Sequence, residues 1–352
     1  MTRNNFYEFF HLIPSNGFGG VENAAKNFGY YRNSNFEFKV VFINNNYFKD
    51  KGKILKNIKN LFINNLKFIL SLKRKKKVII ISSLWRSCLL SLLIKFSKKD
   101  IRLILFLHST KNTHFLDNFS TSLYLFFANE VWGDSAVTIN TRLSSLIIKR
   151  KNIKKKVISF VLKKNNSLPN NKLSASFIYW GRINNKEKNL SGALKFFKRF
   201  SYSYNDAKLI IIGKDDGFKS QLENKINEYR IKENVEIHDF MDFESIKKYA
   251  NKCSFFLQLS FFEGFAISVV EAMQLGLVPV VTDVGEIRSY CIDNFNSVIY
   301  KSDLETFNDV SKLLNNKEHY LKIRKNAIEK WFNKKTYEEN IIYSCESFLN
   351  NY

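Results

Sequence analysis

The sequence predicts two doubly wound α/β domains facing across a cleft, and three observations carry that expectation. The chain has 352 residues, well beyond the roughly 250 at which a single hydrophobic core stops growing. Short apolar runs rich in Ile, Val and Phe alternate with longer stretches of helical spacing, which is the βαβ rhythm of a parallel sheet. The rhythm breaks once, at the polar stretch 163–174 (KKNNSLPNNKLS), which holds the lone Pro169 and reads as a linker. The expected boundaries are a first domain over 1–165, a linker over 166–175 and a second domain over 176–335. A C-terminal helix over 336–352 can pack back on the first domain.

The strands follow in order. The phenylalanines of MTRNNFYEFFHL suggest a first strand, and Glu8 together with the lack of an uninterrupted apolar stretch argues against a secretory signal. Further strands are expected at 36–43, 78–83, 102–108, 130–132 and 157–161, and after the linker at 177–181, 208–213, 235–238, 255–259, 278–282 and 297–300. The most apolar later segment, 84–96, contains Arg86 and Lys95 and falls short of the ~20 residues a membrane span needs. The expected location is therefore cytoplasmic. Cys88, Cys253, Cys291 and Cys345 stand far apart without a CxxC pair, so they read as reduced, packed thiols rather than a disulfide framework or a zinc site.

The net charge of +24 is distributed unevenly. Residues 1–175 hold 31 Lys and Arg against 8 Asp and Glu, whereas residues 176–352 hold 25 against 24. Compositional drift would have made both halves basic, so the first half is expected to meet a polyanion: nucleic acid, an anionic membrane surface or a phosphate-bearing substrate. Within it, residues 51–77 place Ile54, Leu55, Ile58, Leu61, Phe62, Leu66, Ile69 and Leu70 largely on one helical side with lysines interleaved, ending in five consecutive basic residues, 73–77. Such a helix can lie in a membrane interface or pack its apolar side on the domain core.

Three clusters carry candidate chemistry. The first is the loop Asn16-Gly-Phe-Gly-Gly-Val-Glu22, after the first strand and opening a helix. Gly19 and Gly20 let backbone amides approach a ligand at a helix N-terminus that favours anions. The spacing lacks the third glycine of a dinucleotide fingerprint, and a tight turn without a ligand is the alternative. The second opens the other domain: Gly181 and Arg182 lie just past a strand's carboxyl end and Lys188 just before the next helix, where doubly wound sheets place ligands. Two cations there could hold a diphosphate. The third is Glu263-Gly-Phe-Ala-Ile-Ser-Val-Val-Glu271, with Glu263 in a turn and Glu271 about two turns into a helix on the face looking back at that turn. The surroundings are apolar, and two carboxylates there need partners such as the hydroxyls of a polyol.

The stretch EGFAISVVEAMQLGLVPVVTDVGE (263–286), with Gly181, Arg182, Lys188 and the GFGGVE loop, resembles glycosyltransferase family 4, the group 1 retaining glycosyltransferases of bacterial surface-polysaccharide type. The resemblance covers most of the chain and is strongest over 177–300. It implies the GT-B architecture and transfer from a nucleotide diphosphate sugar, with that sugar as co-substrate and neither cofactor nor metal; the sequence contains no DxD. It further implies that Glu271 binds the donor ribose, Glu263 the hydroxyls of the transferred sugar, and Arg182 with Lys188 the diphosphate. Backbone amides from Gly264, Phe265, Ala266 and Ile267 would support sugar and phosphate, and His108, at a strand end in LFLHST, would contact the donor sugar near the reacting carbon.

This chain departs from the family pattern at Ala266, where the family has Gly or Pro, and at 214–217, where Lys-Asp-Asp-Gly replaces a closely following second glycine. The second departure leaves the choice between UDP and GDP open. The implied acceptor is a glycan, carried on polyprenyl diphosphate or lipid A core, so the expected placement is peripheral, on the inner face of the cytoplasmic membrane. The competing reading is an inactive GT-B scaffold that binds nucleic acid or an anionic membrane surface through its basic half. The common nucleic-acid-binding signatures are absent from the sequence, so no nucleic-acid partner is expected.

Overall fold

The computed structural model describes residues 6–14, 20–43, 63–73, 75, 77–108, 115–161 and 173–351. The chain forms two compact units, one of Met1–Leu162 with Lys335–Tyr352 and the other of Lys163–Lys334.

The first unit is built on a seven-stranded sheet in the order β2-β3-β1-β4-β5-β6-β7. Its strands are β1 (Tyr7–Ile13), β2 (Tyr30–Arg32), β3 (Phe36–Phe42), β4 (Val78–Ser83), β5 (Arg102–Leu107), β6 (Glu130–Gly133) and β7 (Lys154–Val157). All pair in parallel except β2, which runs antiparallel along the edge of β3. β4 is buried along its whole length, the pattern of a strand covered on both faces. β2 had no signal in the sequence because three half-exposed residues, Tyr-Tyr-Arg, carry too little apolar periodicity.

The strand expected at 157–161 is corrected: the ladder uses Lys154–Val157, a lysine-rich segment, and Ile158, Phe160 and Val161 lie buried beyond it. The reason is that β7 is the edge strand, where charged side chains point to water. Lys156 Nζ reaches 3.1 Å to Glu130 Oε2 on the neighbouring β6, and Trp132 Nε1 donates to the same oxygen at 2.9 Å. The apolar residues serve packing instead, with Phe160 against Phe106 and Tyr337.

The helix Tyr337–Leu349 belongs to this first unit. A capping box between Thr336 and Glu339 opens it. Tyr337 N–H donates to Val161 O at 2.7 Å, Phe348 meets Phe9 edge-on, and Lys156 Nζ donates to Ser344 O at 3.1 Å. Of the apolar stripe expected over 51–77, the described part includes the helix Leu66–Lys73: Ile69 and Leu72 are buried in the unit's core, while Leu66 and Leu70 are exposed. Residues 51–62, 74 and 76 lie outside the described residues. Among the described residues no helix is long and apolar enough to cross a membrane.

The second unit carries a six-stranded sheet, all parallel, in the order β10-β9-β8-β11-β12-β13. The strands are β8 (Ser176–Trp180), β9 (Lys208–Ile212), β10 (Val235–His238), β11 (Phe255–Gln258), β12 (Val278–Val281) and β13 (Val298–Ile299). Counted within the unit this is 3-2-1-4-5-6, the doubly wound order whose direction reverses between its first and fourth strands. That switch falls between β8 and β11, so side chains just past Trp180 and Gln258 border one crevice. Phe177 packs on Phe197, Phe200 and Phe255 beneath the sheet and anchors β8 and β11 in the core.

Glu130 is fully buried with a partly buried lysine and an indole N–H on one oxygen, so truncating it strands both donors. Glu130→Ala is expected to lower the unfolding free energy by about 2–4 kcal/mol in urea melts followed by tryptophan fluorescence. A change below about 0.5 kcal/mol would show that Glu130 does not hold the β6–β7 edge.

Candidate functional site

The switch point gathers the acidic and basic side chains that the sequence singles out in the second unit. Lys188 ends the short helix Asn185–Lys188, and Asn189 follows in the left-handed region at φ 50° as cap for the helix Leu190–Ser203. That turn directs Lys188 Nζ to Glu263 Oε1 at 2.7 Å, with both side chains mostly buried. The same oxygen accepts from Gln258 Nε2 at 2.9 Å and from Ser260 Oγ at 2.6 Å. Glu263 is thus a desolvated carboxylate held by three donors from β8's following loop and β11's end, the arrangement that makes a buried charge tolerable.

Gln258 relays the network onward. Its Oε1 accepts from Ser268 Oγ at 2.8 Å, on the helix Ile267–Gln274. This helix begins at Ile267, so Glu271 lies about one turn in rather than two. Trp180 Nε1, at the end of β8, donates to Glu271 Oε2 at 2.9 Å. Among the described residues no donor meets Glu271 Oε1. Burial pushes the Glu271 carboxyl up to about 7, with the Trp180 N–H pulling the other way.

Arg182 is placed differently from Lys188. It is half-exposed, with Nη1 on Asp216 Oδ2 at 2.9 Å and Nη2 on Glu187 Oε2 at 2.5 Å. Burial opposes its charge, but the two carboxylates outweigh this and hold the guanidinium above its ordinary value. The two cations of the second cluster therefore have separate partners.

Ala266 caps the helix Ile267–Gln274 in the left-handed region, at φ 57°, and supplies no side-chain cap. A residue with a Cβ adopts this conformation only under strain. Phe265 and Ala266 are buried, and Tyr290 OH fixes the segment by donating to Phe265 O at 2.8 Å. Two glycines let the site loops sit where they do. A Cβ on Gly285, at φ 58°, would lie 2.2 Å from Glu263 O, and one on Gly213 would lie 1.7 Å from Gly181 O. Backbone meets backbone at both points, with no room for a side chain.

In the first unit His108 directly follows β5, and its Nε2 lies 2.7 Å from Ser83 Oγ. On the other side of that hydroxyl, His11 Nε2 lies 2.6 Å away, from the middle of β1. Gly20 is the first residue of the helix Gly20–Phe28, while Gly19 lies outside the described residues. Sequence reasoning singled out neither Gln258, Ser260, Trp180 and Ser268 nor the pair His11 and Ser83. A glutamine ending the buried strand Phe-Phe-Leu-Gln was a readable signal; the others needed the fold.

With this geometry established, known proteins supply a frame. Residues 162–330 match the family model described as "Glycosyl transferases group 1". Over 97 residues the chain is 31% identical to the GDP-mannose:cellobiosyl-diphosphopolyprenol alpha-mannosyltransferase of Xanthomonas oryzae pv. oryzae; the match spans 27% of this chain and about a quarter, 26%, of that relative's length. Nearly the whole chain, 98%, superposes on all of HepE from Anabaena in complex with UDP and glucose, at a TM-score of 0.76 and 14% identity. Sucrose-phosphate synthase from Thermosynechococcus elongatus gives 0.75 at 12% identity, with 98% of each chain covered. The apo lipopolysaccharide outer core galactosyltransferase WaaB gives 0.69 at 17%, with 97% of this chain and 99% of that one covered. Likeness at these identities is likeness of fold: the chain has the α/β, parallel-sheet GT-B fold. Arg182, Lys188, Glu263 and Glu271 all fall inside the segment that matches the family model.

The raised Glu271 carboxyl has a consequence for stability. The folded protein keeps this proton up to about pH 7, whereas the unfolded chain releases it near 4.5. Between those values the folded state binds more protons, so the contribution of Glu271 to stability falls as pH rises and is most unfavourable above pH 7. Glu271→Gln, which keeps the shape and stays neutral, is expected to stabilise the ligand-free protein by roughly 1–3 kcal/mol at pH 8 and not at pH 4.5. Thermal melts across pH check this; equal effects at both ends would refute the assigned shift.

Proposed function

We propose that the chain is a retaining glycosyltransferase. It moves a hexose or N-acetylhexosamine from a nucleotide diphosphate sugar to a hydroxyl of a glycan acceptor, lipid-linked, in O-antigen, capsule or other surface-polysaccharide assembly. The observation that carries this reading is the Lys188–Glu263 pair beside the Trp180–Glu271 pair, at the strand switch of a sheet inside the segment that matches group 1 glycosyltransferases. The relative that acts from GDP-mannose on a diphosphopolyprenol-linked acceptor and the fold neighbour seen with UDP support the donor class and leave the base open.

In this reading Glu271 accepts from the donor ribose through the oxygen that Trp180 leaves open. Glu263, held by Lys188, Gln258 and Ser260, accepts from hydroxyls of the transferred sugar. Lys188 and Arg182 face the diphosphate, which gains negative charge as the anomeric bond breaks, so their attraction is stronger in the transition state than before it. Arg182 reaches that position from a loop on which Glu187 and Asp216 already restrict its rotamers. The acceptor hydroxyl attacks from the leaving-group face and the departing phosphate takes its proton, giving retention without a protein nucleophile. The cations take the part that a metal plays elsewhere. The carboxylate pair acts as a sugar clamp, unlike a glycosidase acid and base.

The basic first half suits an anionic bilayer, and the exposed Leu66 and Leu70 add apolar contact beside lysines. Binding of the first unit to the inner face of the cytoplasmic membrane would hold the protein at the surface where a lipid-linked acceptor lies.

Screening nucleotide sugars for thermal stabilisation and then for hydrolysis identifies the donor. Once it is known, Lys188→Ala and Arg182→Ala are each expected to lower kcat/KM by about 100-fold or more, with activity surviving EDTA. Glu271→Ala should weaken donor binding, whereas Glu263→Ala should depress transfer with less effect on nucleoside diphosphate affinity. Wild-type kinetics in all four variants would refute the site, and an absolute need for Mn²⁺ or Mg²⁺ would refute the metal-free mechanism. Liposome flotation is expected to recover the protein on anionic but not neutral vesicles, with recovery falling at 1 M salt, where screening shortens to about 3 Å. Equal recovery on both would remove the membrane placement.

A further inference from the structure

The helix Phe115–Phe127 of the first unit is turned partly inside out. Its buried side carries Asp117, Ser120 and Thr121, whereas Phe115, Phe119 and Phe126 are exposed. A surface helix of a soluble domain has the opposite arrangement, with apolar side chains inward. The inward polar groups are satisfied: Asp117 Oδ1 accepts from Arg142 Nη2 at 2.8 Å and from Thr121 Oγ1 at 3.2 Å, and Ser120 Oγ donates to Leu116 O at 2.7 Å. Tyr124 and Leu125 alone of this helix lie in the unit's buried core. The packing of the unit therefore gives no reason for the outer phenylalanines.

The three rings stand at helix positions i, i+4 and i+11, within about 40° of one another around an axis with 3.6 residues per turn. The position between them on that line, i+7, is Ser122, which is buried and accepts from Ile147 N–H at 3.0 Å. Ile147, from the segment after the helix Ala136–Ser145, stands in the gap. That segment is pinned along the helix at both ends as well, by Asn118 Nδ2 donating to Ser145 O at 2.9 Å and Arg150 Nη1 donating to Leu125 O at 3.2 Å. Beyond Phe126 the row continues through Phe127 to Phe96, with ring centroids 5.0 Å and 5.6 Å apart. Phe115, Phe119, Ile147, Phe126 and Phe96 are 48% to 73% exposed. From Phe115 to Phe126 the ridge runs about 16 Å along the helix. Single exposed apolar side chains are ordinary, but a contiguous row of them marks a contact surface.

Charge decides what the ridge fits. Residues 149–155 (KRKNIKK), two positions past Ile147, hold five cations and no carboxylate, and all five cations are exposed. The one carboxylate of the helix, Asp117, is buried against Arg142. Aromatic rings edged by cations match an anionic bilayer, with the rings among the upper acyl chains and the cations on the headgroups. A second copy of the chain on the same face would bring two such basic runs together and be repelled.

We propose that the ridge of Phe115, Phe119, Ile147, Phe126 and Phe96 is the face by which the first unit enters an anionic bilayer, with the cations of 149–155 on the headgroups. This rests on the membrane placement proposed above and names a surface for it that lies outside the apolar stripe of 51–77.

The test is flotation of the full chain on mixed phosphatidylglycerol–phosphatidylcholine vesicles. The triple variant Phe119→Ser/Phe126→Ser/Ile147→Ser is expected to bind about 30-fold more weakly than wild type, or worse, because three apolar side chains no longer leave water. Its melting temperature should stay near the wild-type value, since all three side chains are already exposed. Leu66→Ser/Leu70→Ser should lose less. A second readout places the ridge directly: the four native cysteines are buried, so an environment-sensitive dye on Phe126→Cys should shift to the blue on these vesicles and be quenched by brominated lipid. Wild-type binding by the triple variant, or a vesicle-bound protein whose dye neither shifts nor is quenched, overturns the proposal and leaves the membrane placement standing. A wild-type dimer in sedimentation that the triple variant abolishes, with vesicle binding unchanged, would give the ridge to a second copy and overturn it too. Wild type that floats with no vesicle sinks the membrane placement itself, and the ridge proposal with it.

Discussion

The bond between Lys188 and Glu263 is the contact on which the second unit's site depends. It joins the loop after β8 to the loop after β11, the two strands at which the sheet reverses its order. Either charge alone in that mostly buried place would be costly, and removing one leaves the other uncompensated. Gln258 and Ser260 complete the carboxylate's shell, and Gln258 carries the constraint to Ser268 at the head of the next helix. One ion pair therefore fixes the relative placement of two loops and a helix start.

Around that pair the backbone is arranged with little slack. Gly213 and Gly285 stand where a Cβ would collide with carbonyl oxygens of Gly181 and Glu263, and Ala266 holds a left-handed cap against its own preference. Strain and close approach of this kind gather where a fold is shaped to a ligand. The aromatic layer of Phe177, Phe197, Phe200 and Phe255 beneath the sheet gives these loops a rigid base.

Much of this was legible in the sequence. The strands of the second unit fall within about a residue of where apolar runs between turn signals placed them, because a buried parallel strand is a short continuous apolar run and little else. Glu263 and Glu271 stand out because charges embedded in Phe, Val and Met need a reason, and Lys188 because it precedes a helix just past a strand's carboxyl end. What stayed hidden depends on contacts between distant residues. Ser83 is 72 residues from His11 and 25 from His108, and no local pattern announces that three strands bring them together. Trp180 reads as a core residue until Glu271 is found at its N–H, 91 positions on. The lysine-rich β7 was misread because edge strands lack the burial that makes an apolar run.

The central claim is that a nucleoside diphosphate sits at the carboxyl ends of β8 and β11, its ribose on Glu271 and its phosphates at Lys188 and Arg182. The direct measurement is a crystal structure of the protein grown with UDP or GDP, whichever stabilises it more in thermal melts. The account predicts ribose hydroxyls within hydrogen-bond distance of the Glu271 carboxylate, with Trp180 still on Oε2, and phosphate oxygens on Lys188 Nζ. A nucleotide bound elsewhere, with the Lys188–Glu263 and Trp180–Glu271 pairs untouched, would contradict it.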